Sequence, residues 1–358
     1  MKRIVLTGGG TAGHVTPNIA LLPALQAAGY EIAYVGSYEG IEKKLIADFN
    51  IPYTGISTGK FRRYLDPKNF SDPFRVMKGF VEARNYLKNY QPDVVFSKGG
   101  FVSVPVVRAA ASLHIPCIIH ESDMTPGLAN KLCIPVAEKV CCNFPETMKN
   151  IPADKAVLTG SPIRAELAEG SKLAGLNMCG FTANKPVIMV IGGSLGAANV
   201  NKAVRDALPK LLEDFQVVHL CGKDKIDNLL LNTPRYKQFE YIKAELKDIF
   251  AMADIVISRA GANAICELLA LKKPNILIPL PAASSRGDQL LNAASFEAQG
   301  YSIVLNEDDI TTNLLVDKVH ELYFNRQNYV DAMSKSHQMD AVKTIMELIN
   351  AAADKKTN

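Results

Sequence analysis

Residues 4–14 read IVLTGGGTAGH: a short apolar run, a glycine-rich turn, and then Thr16-Pro17 opening a helix-length segment. Glycines let the backbone approach an anion closely. The helix N-terminus behind them offers unpaired N–H groups and the positive end of a dipole. The pattern returns half a chain later, where Val187-Ile188-Met189-Val190-Ile191 is followed by GGSLGA at 192–197. Two strand–glycine turn–helix units predict two similar domains facing one cleft. The first turn carries something the second lacks, His14. Imidazole titrates near neutrality and takes a proton. An anion cradle plus a base outlines a transferase that uses a phosphorylated donor.

Working outward from these turns, apolar runs alternate with helix-length segments. Strands are predicted at 3–7, 31–35, 93–97, 116–120, 139–143, 156–159, 186–191, 216–221, 254–258, 274–279 and 301–305. The runs are continuous rather than alternating, as in parallel strands covered on both faces. Helices are predicted at 17–28, 41–48, 73–89, 103–113, 126–136, 198–213, 245–252, 262–271, 286–299, 310–323 and 340–353. Repeated βαβ units make two doubly wound α/β domains. The boundary is expected near Gly160-Ser161-Pro162, before the polar stretch 170–185. Ligands of such sheets bind beyond the carboxyl ends of the strands, so the residues just after each strand matter most.

The 358 residues suffice for about two domains, and 48% hydrophobic with 21% charged residues fits a globular chain with a large core. A net charge of +4 is too small to argue for nucleic acid. Seven cysteines at 117, 133, 141, 142, 179, 221 and 266, with no C-x-x-C, read as reduced core thiols. The apolar segment after Met1-Lys2-Arg3 is too short for a signal, and no run of about 18 apolar residues spans a bilayer. Any membrane contact is expected to be peripheral. Residues 60–88 hold eight basic residues against three acids, interleaved with aromatic and aliphatic side chains. With Phe74, Arg75, Lys78, Phe80 and Arg84 at its centre, the stretch reads as a docking patch for anionic lipid. The other reading is an ordinary amphipathic helix with its apolar face in the core.

The strand ends supply the candidate chemistry. The turn 8–14 is not a dinucleotide loop, because the second strand ends in Gly36-Ser37 where such loops place an acid. Ser97-Lys98-Gly99-Gly100-Phe101 is a second close-approach turn. His120-Glu121-Ser122-Asp123 puts three ionisable groups in four residues before a helix start; Glu121 and Asp123 are candidates to orient hydroxyls or hold a metal, and His120 reads equally as a buried residue or a ligand. No D-x-D or H-x-x-x-H spacing supports a metal. In the second half, Ser194 combines a helix cap with a phosphate donor, and Arg164 is within reach of the same anion. Ser258-Arg259-Ala260-Gly261-Ala262-Asn263 is followed by Glu267, a carboxylate suited to ribose hydroxyls or to the helix dipole. Ser285-Arg286-Gly287-Asp288-Gln289 completes three polar strand ends that read as a nucleotide site.

Taken in order, GGGTAGHVTP at 8–17, SKGGFVSVP at 97–105, HESDMTPGLANK at 120–131, GSPIR at 160–164, GGSLGA at 192–197, SRAGANAICE at 258–267 and SRGDQLLNA at 285–293 resemble the successive motifs of the MurG family. These are bacterial UDP-N-acetylglucosamine transferases of peptidoglycan synthesis. The resemblance spans nearly the whole chain. It implies a GT-B fold, two Rossmann-like domains around a central cleft, with the last helix crossing back onto the first domain. The domains would be 1–161 plus 341–358, facing acceptor and membrane, and 162–340, binding UDP-GlcNAc. The implied reaction moves GlcNAc, with inversion, to the 4-hydroxyl of the MurNAc sugar of undecaprenyl-pyrophosphoryl-MurNAc-pentapeptide, turning lipid I into lipid II. No metal or other cofactor is implied. Partners would be the donor, the lipid-linked acceptor, an anionic membrane at its cytoplasmic face, and cell-wall and division proteins.

The resemblance also assigns residues. His14 matches the family's base, with Glu121 or Asp123 as the alternative; Thr11, Ala12, Gly13 and Asp123 match donor contacts. Arg164 and Ser194 match contacts toward the diphosphate, and Ile242 a backbone contact to uracil. Gly261, Ala262, Asn263 and Ala264 form the adjoining loop, Glu267 matches the ribose acid, and Gln289 matches a sugar-hydroxyl contact. Two rivals remain: a UDP-GlcNAc 2-epimerase of the same architecture, and a non-catalytic nucleotide-sugar-binding scaffold.

Overall fold

The computed structural model describes residues 1–59, 68–192, 196–282, 287–336 and 340–357. The chain divides into two compact units, Met1–Arg164 with Asp340–Asn358, and Ala165–Met339.

The first unit is a seven-stranded parallel sheet of β1 (Arg3–Thr7), β2 (Glu31–Ser37), β3 (Tyr53–Ile56), β4 (Val94–Ser97), β5 (Cys117–Glu121), β6 (Lys139–Cys142) and β7 (Ala156–Leu158). Its strand order is β3-β2-β1-β4-β5-β6-β7. Helices α1 (Thr16–Ala27), α2 (Ile41–Ile46), α3 (Lys68–Tyr90), α4 (Ser103–Ser112), α5 (Leu128–Cys133) and α6 (Pro145–Met148) connect the strands. The second unit contains β8 (Val187–Ile191), β9 (Gln216–Leu220), β10 (Tyr236–Phe239), β11 (Ile255–Ser258), β12 (Asn275–Leu277) and β13 (Ser302–Val304). Their order, β10-β9-β8-β11-β12-β13, repeats that of the first six strands of the other sheet. Its helices are α7 (Lys172–Cys179), α8 (Ala198–Asp214), α9 (Leu246–Met252), α10 (Ala262–Ala270), α11 (Asp288–Ala298), α12 (Thr312–Phe324) and α13 (Arg326–Ser334). Each sheet thus has the 3-2-1-4-5-6 order of a dinucleotide-binding fold, reversing direction beside its first strand.

The central strands are apolar on both faces because helices cover both. In the first unit, Val5, Val95, Ile119 and Val140 pack on one side with Ala83 and Leu87 of α3 and Val106 and Ala110 of α4. On the other side Ile4, Leu6, Phe96 and Ile118 meet Leu21, Leu22 and Leu25 of α1. The last helix, α14 (Ala341–Thr357), completes that second layer with Ile345, Ile349 and Ala353. It packs within the first unit. All seven cysteines are buried and none is in a disulfide.

Two strands went unpredicted, β3 and β10, and each is the outer strand on the same flank of its sheet. An outer strand has one neighbour and a partly wet face, so it lacks the continuous apolar run. Tyr236-Lys237-Gln238-Phe239 alternates instead. Three helices also appear beyond expectation, the one-turn α6 among them. α7 lies inside the stretch read as a polar boundary, and its Gly175, Leu176 and Cys179 are buried. α13 is largely polar, with Met333 as its buried anchor.

Candidate functional site

In the first unit, the loops after β1, β2, β4 and β5 are tied to one another by buried polar groups. Thr7 O accepts from Lys98 N at 2.9 Å and from Asn18 Nδ2 at 3.1 Å, and Gly8 O accepts from the Tyr34 hydroxyl at 2.7 Å. The carbonyls that open the glycine turn are therefore filled from below. Gly10 N–H donates to Glu42 Oε2 at 3.1 Å, across 32 residues of sequence. The chain then passes exposed Thr11 and Ala12 to half-buried Gly13 and His14. His14 Nδ1 and Thr11 Oγ1 are hydrogen-bonded at 2.9 Å. Gly100 from the β4 loop is packed against this turn. A Cβ on it would lie 2.3 Å from Gly9 O and 3.3 Å from His14 Nδ1, so only glycine fits beside the imidazole.

The His14 pKa falls to about 4. Burial is the main cause and the Lys98 ammonium adds to it, while the Glu42 carboxylate pulls partly the other way. The imidazole is thus neutral over the whole physiological range and has a lone pair to take a proton.

Lys98 is fully buried, with Nζ 2.8 Å from His120 Nδ1 and bonded to Ser122 Oγ. His120 Nε2 lies 2.9 Å from Gly160 O. A carbonyl only accepts, so Nε2 carries the proton and Nδ1 accepts from Lys98. Burial and the Lys98 charge push His120 well below its usual range, which keeps it neutral. His120 is a strut joining three strand ends.

Glu121 is buried, and its carboxylate accepts from Asp123 N at 2.9 Å, Gly127 N at 3.0 Å and Asn130 Nδ2 at 2.8 Å. Its lone pairs shape the loop before α5, which makes it a poor candidate for the alternative base named from sequence. Asp123 is half-buried on that loop, with its own carbonyl held by Thr147 at 3.1 Å. Arg164 is half-buried at the end of the first unit.

In the second unit the strand ends are joined by amides and by cations set on backbone carbonyls; Arg205 donates to Lys225 O at 2.6 Å and Lys225 Nζ to Gly196 O at 3.4 Å. Asn201 Nδ2 donates to Cys221 O at 2.9 Å, and its Oδ1 lies 3.0 Å from His219 Nε2. Asn292 Nδ2 donates to Ala260 O at 3.1 Å, and Gln289 Oε1 accepts from Leu280 N at 3.0 Å. The loops after β11 and β12 are thereby fixed against the start of α11. The Arg259 guanidinium holds Ile278 O at 3.0 Å and Pro279 O at 3.2 Å and pairs with Glu307, almost out of solvent. Gly261 is the N-cap of α10 and has no side chain with which to cap the first turn, where Ala262, Asn263 and Ala264 are half-buried. Asn263 and Glu267 are one turn apart on the same helix face. Such a helix start suits an anion or a sugar oxygen. Ile242 is buried beside exposed Tyr241 in the loop after β10. Ser194 lies outside the described residues, as do Ser285 and Arg286.

Residues 60–67 also lie outside the described residues; the rest of the proposed lipid patch is on α3. Phe74, Met77 and Val81 are exposed there, beside exposed Arg75, Lys78, Arg84 and Lys88. Phe80, taken from sequence as part of the patch, packs instead against the core with Ala83 and Leu87. The 3.6-residue period turns position 80 toward the sheet and positions 77 and 81 away from it. Among the described residues no helix is long and apolar enough to cross a membrane, and no group of three or more His, Cys, Asp or Glu is placed to hold a metal ion.

Sequence reading singles out His14, the glycine turns and the α10 start. It missed Glu42, and it did not separate the structural His120 from a ligand. It also passed over Asn292 and the Arg259–Glu307 pair. Their partners come from other loops, which no local pattern reveals.

Residues 4–142 match the glycosyltransferase family 28 N-terminal domain, and residues 187–349 match the glycosyltransferase family 28 C-terminal domain. A curated protein of Lachnospira eligens is 65% identical over 349 residues, 98% of this chain and 99% of that one. It is named UDP-N-acetylglucosamine–N-acetylmuramyl-(pentapeptide) pyrophosphoryl-undecaprenol N-acetylglucosamine transferase. A Clostridium botulinum protein of the same name is 58% identical, covering 98% of this chain and 99% of its own. A crystal structure of MurG from Acinetobacter baumannii superposes with a TM-score of 0.78 at 29% identity, over 98% of this chain and 100% of that one. The pair of Rossmann-like domains is consistent with the GT-B class.

Proposed function

The chain belongs to glycosyltransferase family 28, and on that premise we infer that it transfers N-acetylglucosamine from UDP-N-acetylglucosamine to a lipid-linked muramoyl acceptor. The acceptor is pyrophosphoryl-undecaprenol carrying N-acetylmuramoyl-pentapeptide, and the product is the lipid-linked disaccharide used in peptidoglycan synthesis. The observation that carries this reading is identity of 65% along essentially the full length of both chains.

The chemistry is a displacement with inversion. The 4-hydroxyl oxygen of the muramoyl sugar attacks the anomeric carbon, the bond from that carbon to the diphosphate oxygen breaks, and UDP leaves. The hydroxyl proton goes to His14 Nε2, whose partner Nδ1 is held by Thr11. Three observations support His14 over Glu121 in this role: it is half-exposed on the turn, it is held neutral, and the Glu121 oxygens are already taken by three donors. Arg164, Ser194 and the loop amides take up charge on the leaving diphosphate. Glu267 accepts the ribose hydroxyls, Ile242 lends backbone to uracil, and Gly261–Ala264 with Gln289 contact the transferred sugar together with Asp123 and the 11–13 turn. In this assignment the second unit carries the donor and the first carries the proton acceptor. The lipid tail keeps the enzyme at the cytoplasmic membrane surface, where α3 docks as a peripheral element through Phe74, Met77 and Val81 with Arg75, Lys78 and Arg84.

Labelled UDP-N-acetylglucosamine and a lipid-linked muramoyl-pentapeptide analogue test the reading. It expects acceptor-dependent UDP release and a β-1,4-linked disaccharide. Conversion of the donor alone to UDP-N-acetylmannosamine would point to an epimerase, and donor binding with no turnover to a scaffold.

A further inference from the structure

Glu42 is a carboxylate with no exposure to solvent. Burying a charge costs far more than burying a neutral group unless donors surround it. Here they do. Oε1 accepts from Ser37 N at 2.9 Å and from the Ser37 hydroxyl, while Oε2 accepts from Gly10 N at 3.1 Å. The first two donors belong to the end of β2 and the third to the glycine turn. A Cβ on Gly9 would lie 2.5 Å from Glu42 Cδ, and one on Gly40 would lie 2.2 Å from Oε1. Those two glycines therefore make room for this carboxylate. A turn that in sequence reads as a cradle for a ligand's phosphate has closed at least one of its amides on an anion of its own.

That amide sits at the point where the chain changes direction. Gly10 has a positive φ of 86°, and the chain then enters the 3-10 turn Ala12–His14, whose side-chain tie is Thr11 to His14. Two buried charges act on the imidazole, Glu42 from the start of α2 and Lys98 from the end of β4. They oppose each other. Lys98 disfavours a proton on His14 and Glu42 favours it.

We propose that Glu42 is a positioning residue for the reaction assigned to His14: it pins Gly10, so that Thr11 holds Nδ1 and leaves Nε2 to the substrate, and its charge stabilises the imidazolium that forms as the hydroxyl proton is taken. The proposal rests on the reading of His14 as the base. It does not require Glu42 to touch either substrate. Glutamine at this position keeps the shape but removes the charge, and its amide faces backbone donors with donors of its own.

The test compares Glu42→Gln, Ser37→Ala and His14→Ala in the full chain. Glu42→Gln is expected to lower kcat on the order of 10²-fold, the cost of a misplaced reacting group, with KM for UDP-N-acetylglucosamine essentially unchanged. Ser37→Ala, which removes one donor from the same carboxylate, should lower kcat about fivefold, as loss of one hydrogen bond would. Imidazole NMR separates positioning with charge from simple loosening. In Glu42→Gln the His14 pKa should fall below that of the wild type, because the Glu42 charge raises it. A rise toward the ordinary histidine value would mean that the turn had merely opened to water, and would overturn the proposal. So would wild-type kcat in folded Glu42→Gln, or in Ser37→Ala should Glu42→Gln not fold. Normal turnover in His14→Ala would remove the base itself, whereas an inactive His14→Ala beside a fully active Glu42→Gln removes only the role of Glu42.

Discussion

The two sheets share one strand order and spend their strand ends differently. In the first unit the loops are knitted by ionisable side chains: Glu42 and Lys98 are buried and act on His14, and His120 and Glu121 are buried at the end of β5. In the second, the equivalent loops are held by the amides of Asn201, Gln289 and Asn292 and by cations set on loop carbonyls: Arg259, paired with Glu307, on Ile278 O and Pro279 O, Arg205 on Lys225 O, and Lys225 on Gly196 O. In the first unit charges of both signs act on His14, whereas in the second the polar ties brace loop backbone. On the proposed reading, one scaffold carries proton transfer on its first copy and anion and sugar binding on its second.

The comparison makes predictions that separate the two copies. The largest effect belongs to His14→Ala, which should cut kcat by about 10²–10⁴-fold, the range of general base catalysis, as read by UDP release with saturating substrates. Next, Glu267→Gln in the second unit should raise KM for the donor roughly 10–100-fold, the worth of a charged hydrogen bond, and leave the His14 titration alone. An equal loss in kcat instead would blur the division of labour.

Lys98→Met removes a buried cation acting on His14. The sign is fixed: Lys98 lowers the His14 pKa, so its loss raises that pKa from about 4 toward the usual 6.5. The acid limb of the kcat/KM profile should move to higher pH, with a modest change at pH 7. A profile that does not move would mean that Lys98 serves only as the strut for His120. The smallest effect is expected on α3. Reversing Arg75, Lys78 and Arg84 to Glu should weaken sedimentation with anionic vesicles, at about 1 kcal/mol per basic residue near the surface, and leave turnover on a soluble acceptor analogue intact.

Much of the fold was legible because the central strands are continuous apolar runs. The outer strands β3 and β10 were not, since a strand with one neighbour need not be apolar on both faces. Helix α7 hid in a polar-looking stretch because its buried side consists of only Gly175, Leu176 and Cys179. At the proposed site, a glycine turn after a strand announces itself locally, and so His14 stands out in the sequence. Glu42 looked like any acid in the first turn of a short surface helix. Its meaning depends on Gly10, 32 residues earlier, and only the folded sheet brings the two together. Phe80 shows the reverse limit: an aromatic among basic residues reads as surface, yet the helix phase turns it to the core.

The division between the two copies is tested most directly by measuring UDP affinity and turnover on the same His14→Ala protein. The account predicts wild-type affinity for UDP alongside turnover lowered by two or more orders of magnitude. Affinity lost in step with turnover, or turnover retained, would contradict it.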